Sequence, residues 1–318
     1  MAREPNSFDE LFVPLDITAQ AISADIGLPP LRFFPPPTST TPEGLLCIGG
    51  GLSPEWLLDA YRHGIFPWPM WEDEPIAWWS PDPRAIIELD RLHVSRRLKR
   101  TIRSGRFRVT CDQDFAGVIH GCARSGDRRG NTWLTPAMIA AYCHLHSLGY
   151  AHSVEVWLDA PPSIGGNQYL SPPLALGEGR SEGVLVDSAQ SALTPNPSPK
   201  GRGEMGAEGR GKLGANERGE LGANGRGELV GGTYGVAIGG LFAAESMFHR
   251  VRDASKVALA YLVAHLRARG YQLLDVQQWT PHTGRLGAVE IPRIEYLRRL
   301  AVALKANVRF GDRLEGAV

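Results

Sequence analysis

Asp275 and Gln277 stand two apart in the run Leu273-Leu274-Asp275-Val276-Gln277-Gln278. On an extended strand, residues two apart project to the same face. That face is the candidate catalytic one, with an edge-strand carboxylate bonded to nearby backbone as the alternative. A second carboxylate, Glu245, follows the apolar run Leu241-Phe242-Ala243-Ala244. At a pocket rim it would pair with a basic side chain; in the first turn of a helix it would answer the helix dipole instead. Upstream, Trp78-Trp79 is followed by Ser80-Pro81-Asp82-Pro83-Arg84. Paired indoles beside two prolines form either a rigid wall for a flat ligand or a plug between two layers.

Other candidates divide by chemistry. Arg96, Lys99, Arg100 and Arg103 spread over the outside of a helix whose Leu98 and Ile102 face inward, as phosphate binders or as a solvated face. His282, in Thr280-Pro281-His282-Thr283, reads as a turn residue, because no partnered carboxylate or serine is near it in sequence. Gly49-Gly50-Gly51 lacks the lysine and hydroxyl residue of a phosphate loop. The cysteines, Cys47, Cys111, Cys122 and Cys143, have no C-x-x-C or Cys/His spacing, so they read as free buried thiols with no metal site. With 34 basic and 34 acidic residues the formal charge is zero, which argues against wholesale nonspecific nucleic-acid binding and requires any such contact to be a local patch.

These residues need elements to position them. Leu45 to Ile48 reads as a short strand, followed by a helix with Ser53 as N-cap, Pro54 at its first position and Gly64 as its stop. The basic helix spans about Ser95 to Ser104, then come a strand at Phe107 to Thr110 and a helix at Thr135 to Leu148. Ser153 to Leu158 alternates as a strand, with Thr233 to Phe242 as its returning partner. Ala254 to Arg269 is an amphipathic helix leading into the apolar strand Gln272 to Val276. Residues 160–228 are foreign to this pattern: rich in Gly, Pro, Ser and Ala, with an octapeptide echoed from Met205, Leu213 and Leu221. They read as a disordered insertion at a hairpin tip. The chain divides into an N-terminal unit, 1–92, and a second unit, 93–318, that carries the insertion.

The run Tyr61-Arg62-His63-Gly64-Ile65-Phe66-Pro67-Trp68, the tryptophan pair and Gly240-Leu241-Phe242-Ala243-Ala244-Glu245-Ser246-Met247-Phe248 together resemble the leucyl/phenylalanyl-tRNA-protein transferases, over about residues 30–160 and 229–300. The resemblance implies an α/β (α+β) protein, with a small N-terminal α/β domain and a C-terminal acetyltransferase-like domain built on a mixed sheet. The implied activity is transfer of Leu or Phe, and in some cases Met, from aminoacyl-tRNA to the N-terminal amine of proteins beginning with Arg or Lys. That transfer marks them for N-end-rule degradation, with no cofactor.

Carried over residue by residue, the resemblance makes Asp275 and Gln277 catalytic. Glu245 and Thr280 become acceptor-binding, with Thr280 standing where the family can carry Asn. The aminoacyl pocket falls to Thr233, Phe242, Ala244, Leu259, Leu262 and Leu274; Thr233, Ala244 and Leu262 replace a methionine, a glycine and an aromatic residue. Trp79 and Trp133 take the terminal adenosine, and Arg96, Lys99, Arg100 and Arg103 the acceptor-stem phosphates. The implied partners are charged tRNA and the acceptor proteins, without membrane or DNA, for a monomer. An acyl-CoA N-acyltransferase would need an R/Q-x-x-G-x-G/A loop before a helix, which is missing, whereas a tRNA- or peptide-binding adaptor that had lost catalysis would not need Asp275, Gln277 and Glu245. The composition, 43% hydrophobic without a long apolar run, and an N-terminus lacking an export signal lead to a cytoplasmic location as the expectation.

Overall fold

The computed structural model describes residues 26–69, 75–125, 133–159 and 227–318. Residues 160–226, nearly all of the expected insertion, lie outside them. The described residues form two sheets. The smaller joins β1 (Leu45–Ile48), β2 (Phe66–Pro67) and β3 (Ala77–Trp79) in the order β1-β3-β2. The helix α1 (Pro54–Arg62) runs between β1 and β2. Pro54 opens it as expected, but the Ser53 hydroxyl donates to Glu55 Oε2 at 2.7 Å instead of capping a backbone N–H.

The larger sheet has seven strands in the order β10-β4-β9-β8-β7-β6-β5. These are β4 (Arg84–Ile87), β5 (Arg108–Cys111), β6 (Ala151–Leu158), β7 (Glu228–Ile238), β8 (Leu241–His249), β9 (Leu273–Gln277) and β10 (Ala288–Ile291). Only β8 and β9 pair in parallel, and they need a crossover. The helix α5 (Ala254–Arg269) supplies it, closed by Gly270 in the left-handed conformation. The mixed α/β sheet matches the fold class read from sequence. β4 lies in the part of the chain assigned to the N-terminal unit, yet it pairs between β10 and β9 in the large sheet.

The stretch Thr233 to Phe242, expected as one strand, is divided. Gly239-Gly240 turns β7 back into β8, and Gly239 has φ 56°, with the carbonyls of Ala303 and Leu304 lying where a Cβ would go. The turn therefore accepts only glycine without strain. At the other end of β7 the stem around the insertion pairs Ala151 with Val236 through to Leu158 with Glu228, with a shift of register between Val156 and Trp157.

Helices cover both faces of the large sheet. On one, α5 buries Val257, Leu259, Leu262 and Leu266 against Phe242, Ala244 and Leu274. Burying a side chain of this kind contributes on the order of 2 kcal/mol relative to leaving it exposed. On the other, α3 (Phe115–Arg124) and α4 (Pro136–Ser147) join α1 over Tyr234, Val236 and Ala243, while α7 (Arg293–Ala303) packs Tyr296, Leu297 and Leu300 over Ile86, Leu241 and Leu273. The basic helix α2 (Arg96–Arg103) is capped by Ser95, whose hydroxyl accepts from Leu98 N, and it buries Leu98 in the α5 cluster. The short α6 (Pro281–Arg285) connects β9 to β10.

Candidate functional site

The middle of β8 and the second half of β9 hold a buried polar network. Asp275, at the centre of β9, receives four hydrogen bonds. Oδ1 accepts from Arg84 Nε at 2.9 Å and from the Gln277 backbone N–H at 2.8 Å. Oδ2 accepts from Arg84 Nη2 at 2.6 Å and from Tyr296 OH at 2.8 Å. Arg84 reaches back with Nη1 to the Gly64 carbonyl at 2.9 Å. Its guanidinium lies 4.8 Å from the Phe66 ring centre and 4.6 Å from that of Tyr296. Burial pulls the Arg84 guanidinium down, but the charge and hydrogen bond of Asp275, joined by Tyr296 and Glu245, together leave it above its ordinary value. Gly64, at φ 70°, faces Tyr296 so closely that a Cβ would stand 2.6 Å from Cε1.

Asp275 and Gln277 do meet, but through the backbone. A bulge opposite Ala85 and Ile86 and a left-handed φ of 63° at Gln277 break the regular strand. The Gln277 side chain turns to Glu245 instead, donating Nε2 to Oε1 at 2.8 Å. Its carbonyl oxygen Oε1 makes no hydrogen bond among the described residues, in a residue that is buried at 2% exposure. A non-glycine residue in this conformation persists only where its surroundings hold it, and such residues cluster at functional sites.

Glu245 was expected at a pocket rim. It lies instead inside a central strand at 1% exposure, with Oε2 accepting from Tyr142 OH at 3.1 Å. Tyr142 in turn shares a 2.7 Å hydrogen bond with Tyr61 OH. Burial raises the Glu245 carboxyl from 4.5 to about 8, against the lowering effect of the tyrosine hydroxyls. Both tyrosines are pushed well up, first by burial and next by the charge of Glu245. Tyr61, Tyr142, Arg84 and Tyr296 escaped the sequence reading because each lies far along the chain from its carboxylate. The Pro-Asp-Pro-Arg84 run was visible, but only as part of the aromatic wall.

The remaining candidates fall into three groups. Phe242, Ala244, Leu259, Leu262 and Leu274 share one apolar cluster, none more than 1% exposed; Thr233 is buried on β7, its hydroxyl donating to the Ser246 carbonyl. The tryptophan pair splits between its two readings. Trp78 is fully buried, bonded through Nε1 to the Gly49 carbonyl and packed on Phe34 and Trp56, a plug between layers. Trp79 is half-buried and donates Nε1 to the Trp68 carbonyl at 3.0 Å. Trp68, which sequence reasoning passed over as part of a motif, stacks on Trp133 with ring centres 4.5 Å apart and planes 18° from parallel. Thr280 uses its hydroxyl to cap α6, accepting from Thr283 N. Arg96, Lys99, Arg100 and Arg103 are all exposed along α2.

His282 is held neutral, chiefly by burial and then by nearby cations, at about 4; its Nε2 is buried without a partner. All four cysteines are free thiols as expected, but only Cys111 and Cys122 are buried, Cys47 and Cys143 being partly exposed. No cluster of metal-ligating side chains occurs among the described residues, and no helix among them is long and apolar enough to cross a membrane.

The chain matches two family models: leucyl/phenylalanyl-tRNA protein transferase over residues 86–168 and 222–301, and the N-terminal domain of the same family over residues 50–82. Among its relatives, the leucyl/phenylalanyl-tRNA–protein transferase of Solidesulfovibrio magneticus is 42% identical over 272 residues, 85% of this chain and 82% of the relative. That of Aromatoleum aromaticum is 40% identical over 270 residues, 84% and 85% of the two chains. That of Anaeromyxobacter sp. is 40% identical over 292 residues, 89% and 95%. Both the family models and the identity over most of the chain lead to one conclusion: this protein belongs to the leucyl/phenylalanyl-tRNA protein transferase family.

Proposed function

We propose that the protein transfers leucine or phenylalanine, and methionine as a further donor, from aminoacyl-tRNA to the N-terminal α-amine of proteins beginning with Arg or Lys, marking them for N-end-rule degradation. The observation that carries this reading is the free Oε1 of Gln277, fixed by a side-chain bond to Glu245 and a backbone bond to Asp275. The donor ester is already activated, and an α-amine has a pKa near 8. Positioning is therefore the main demand on the protein.

Gln277 Oε1 accepts an N–H of the neutral amine and aims its lone pair at the ester carbonyl. Attack gives a tetrahedral intermediate; its collapse expels the terminal ribose oxygen, which takes up the proton lost by the amine, and leaves the peptide bond. Asp275 does not exchange a proton, because its two oxygens are engaged by Arg84, Tyr296 and the Gln277 peptide. Glu245 supports the carboxamide, and its charged form is favoured when the cationic side chain of an acceptor arrives nearby. Thr280 flanks the acceptor on the α6 side. The apolar cluster of Phe242, Ala244, Leu259, Leu262 and Leu274, bordered by Thr233, receives the donor side chain. The Trp68–Trp133 pair and Trp79 take the terminal adenosine, and α2 meets the phosphates with Arg96, Lys99, Arg100 and Arg103. The protein works as a cytoplasmic monomer.

The test is a transfer assay with tRNA charged with labelled leucine or phenylalanine, offered an Arg-initiated protein and a Met-initiated control. Label on the Arg-initiated protein alone is the expected result. Binding of charged tRNA without transfer to either would overturn the reading.

A further inference from the structure

We infer that Arg84 and Tyr296 are positioning residues for the transfer step, acting through Asp275 on the conformation of Gln277; the inference rests on Gln277 being the group that meets the amine. Gln277 is held at φ 63°, a backbone state that a glutamine does not keep unaided. The bond that holds it is the 2.8 Å contact from its own N–H to Asp275 Oδ1. That oxygen stays in place only because Arg84 grips the carboxylate with Nε and Nη2, while Tyr296 OH fixes the second oxygen.

Arg84 is itself over-determined. Its side chain is 1% exposed, flanked by the rings of Phe66 and Tyr296 and tied by Nη1 to the carbonyl of Gly64. Strand β4 and helix α7 thus converge on one carboxylate, and the turn after α1 holds Arg84 in place. A fork of two parallel N–H groups fixes both the position and the plane of a carboxylate, which a single ammonium cannot do. Neither Arg84 nor Tyr296 is bonded to Glu245 or Gln277 directly, so their influence on the amine passes through Asp275.

Two conservative variants test this, Tyr296→Phe and Arg84→Lys, alongside Gln277→Ala. Single-turnover transfer at saturating charged tRNA should slow on the order of 10- to 100-fold in Tyr296→Phe, with KM for charged tRNA unchanged. Arg84→Lys keeps the charge but loses the fork and should behave alike, and hydrogen exchange of the Gln277 amide should accelerate in both relative to Leu274 on the same strand. A variant that melts earlier but transfers at the wild-type rate while folded would show a merely structural role and overturn the inference. So would a loss carried by KM alone. If Gln277→Ala is slow and Tyr296→Phe is not, this inference alone fails; if Gln277→Ala transfers normally, the proposed chemistry fails and takes the inference with it.

Discussion

Gln277 and Glu245 are joined by one hydrogen bond, 2.8 Å from the carboxamide Nε2 to the carboxylate Oε1. It decides which end of the carboxamide faces inward, so the opposite end, Oε1, is presented as an acceptor. With one of its two Nε2 hydrogens held by Glu245, the glutamine presents Oε1 to receive an N–H, which suits the nucleophile's side of the reaction.

The raised Glu245 carboxyl makes a pH prediction. Its ionised form, and the neutral acceptor amine, both become common only as pH approaches about 8. The logarithm of the transfer rate should therefore rise with a slope of roughly two below that pH and level off above it. In Glu245→Gln the slope should fall to about one, leaving only the amine to titrate. A wild-type slope of one that is unchanged in the variant would exclude Glu245 from the pH dependence.

The same group has a stability consequence of fixed sign. Because its folded value lies above its unfolded value, the native state binds the extra proton between 4.5 and about 8. Its contribution to stability is fully present below the lower value and is lost as pH rises through the upper one. The difference in Tm between Glu245→Gln and the wild type should therefore move in favour of the variant on going from pH 5 to pH 9, as thermal melts at both pH values would show.

Gly64 joins stability to the site. Alanine there would combine a positive φ with a contact to Tyr296, at a cost of roughly 1–3 kcal/mol. Denaturant titration should show that loss, and turnover per folded molecule should fall as well, since the Gly64 carbonyl accepts from Arg84.

Contacts to the donor should separate by salt and by base. Removing Lys99 or Arg100 from the exposed side of α2 should raise KM for charged tRNA, leave the single-turnover rate alone and reduce the slope of log KM against log salt by about 0.7–0.9 per charge. Trp133→Ala removes the ring stacked on Trp68. Loss of base stacking of about 1–3 kcal/mol predicts a KM increase of roughly 5- to 150-fold, with unchanged salt dependence.

The regular elements were legible because they obey local rules. Pro54 and Gly64 bound α1 and Ser95 caps α2, whereas α5, expected to be amphipathic, is buried around most of its circumference and shows little apolar period. Thr233 to Phe242 was misread as one strand because alternation runs on across Gly239-Gly240, and only the turn reverses direction. At the site, Asp275, Gln277 and Glu245 were visible as residues while their partners were not. Arg84 is 191 positions from Asp275 and Tyr142 is 103 from Glu245, and no local pattern records a contact made by the sheet order. The bulge that turns Gln277 was hidden for a related reason: it depends on the register with β4, not on the sequence of β9.

The most direct test of this account is single-turnover transfer of labelled leucine from saturating charged tRNA to an Arg-initiated protein by Gln277→Ala, compared with wild type under identical conditions. The variant is expected to melt like the wild type, bind charged tRNA with the same affinity and transfer on the order of 100-fold more slowly. A folded Gln277→Ala protein that transfers at the wild-type rate would contradict it.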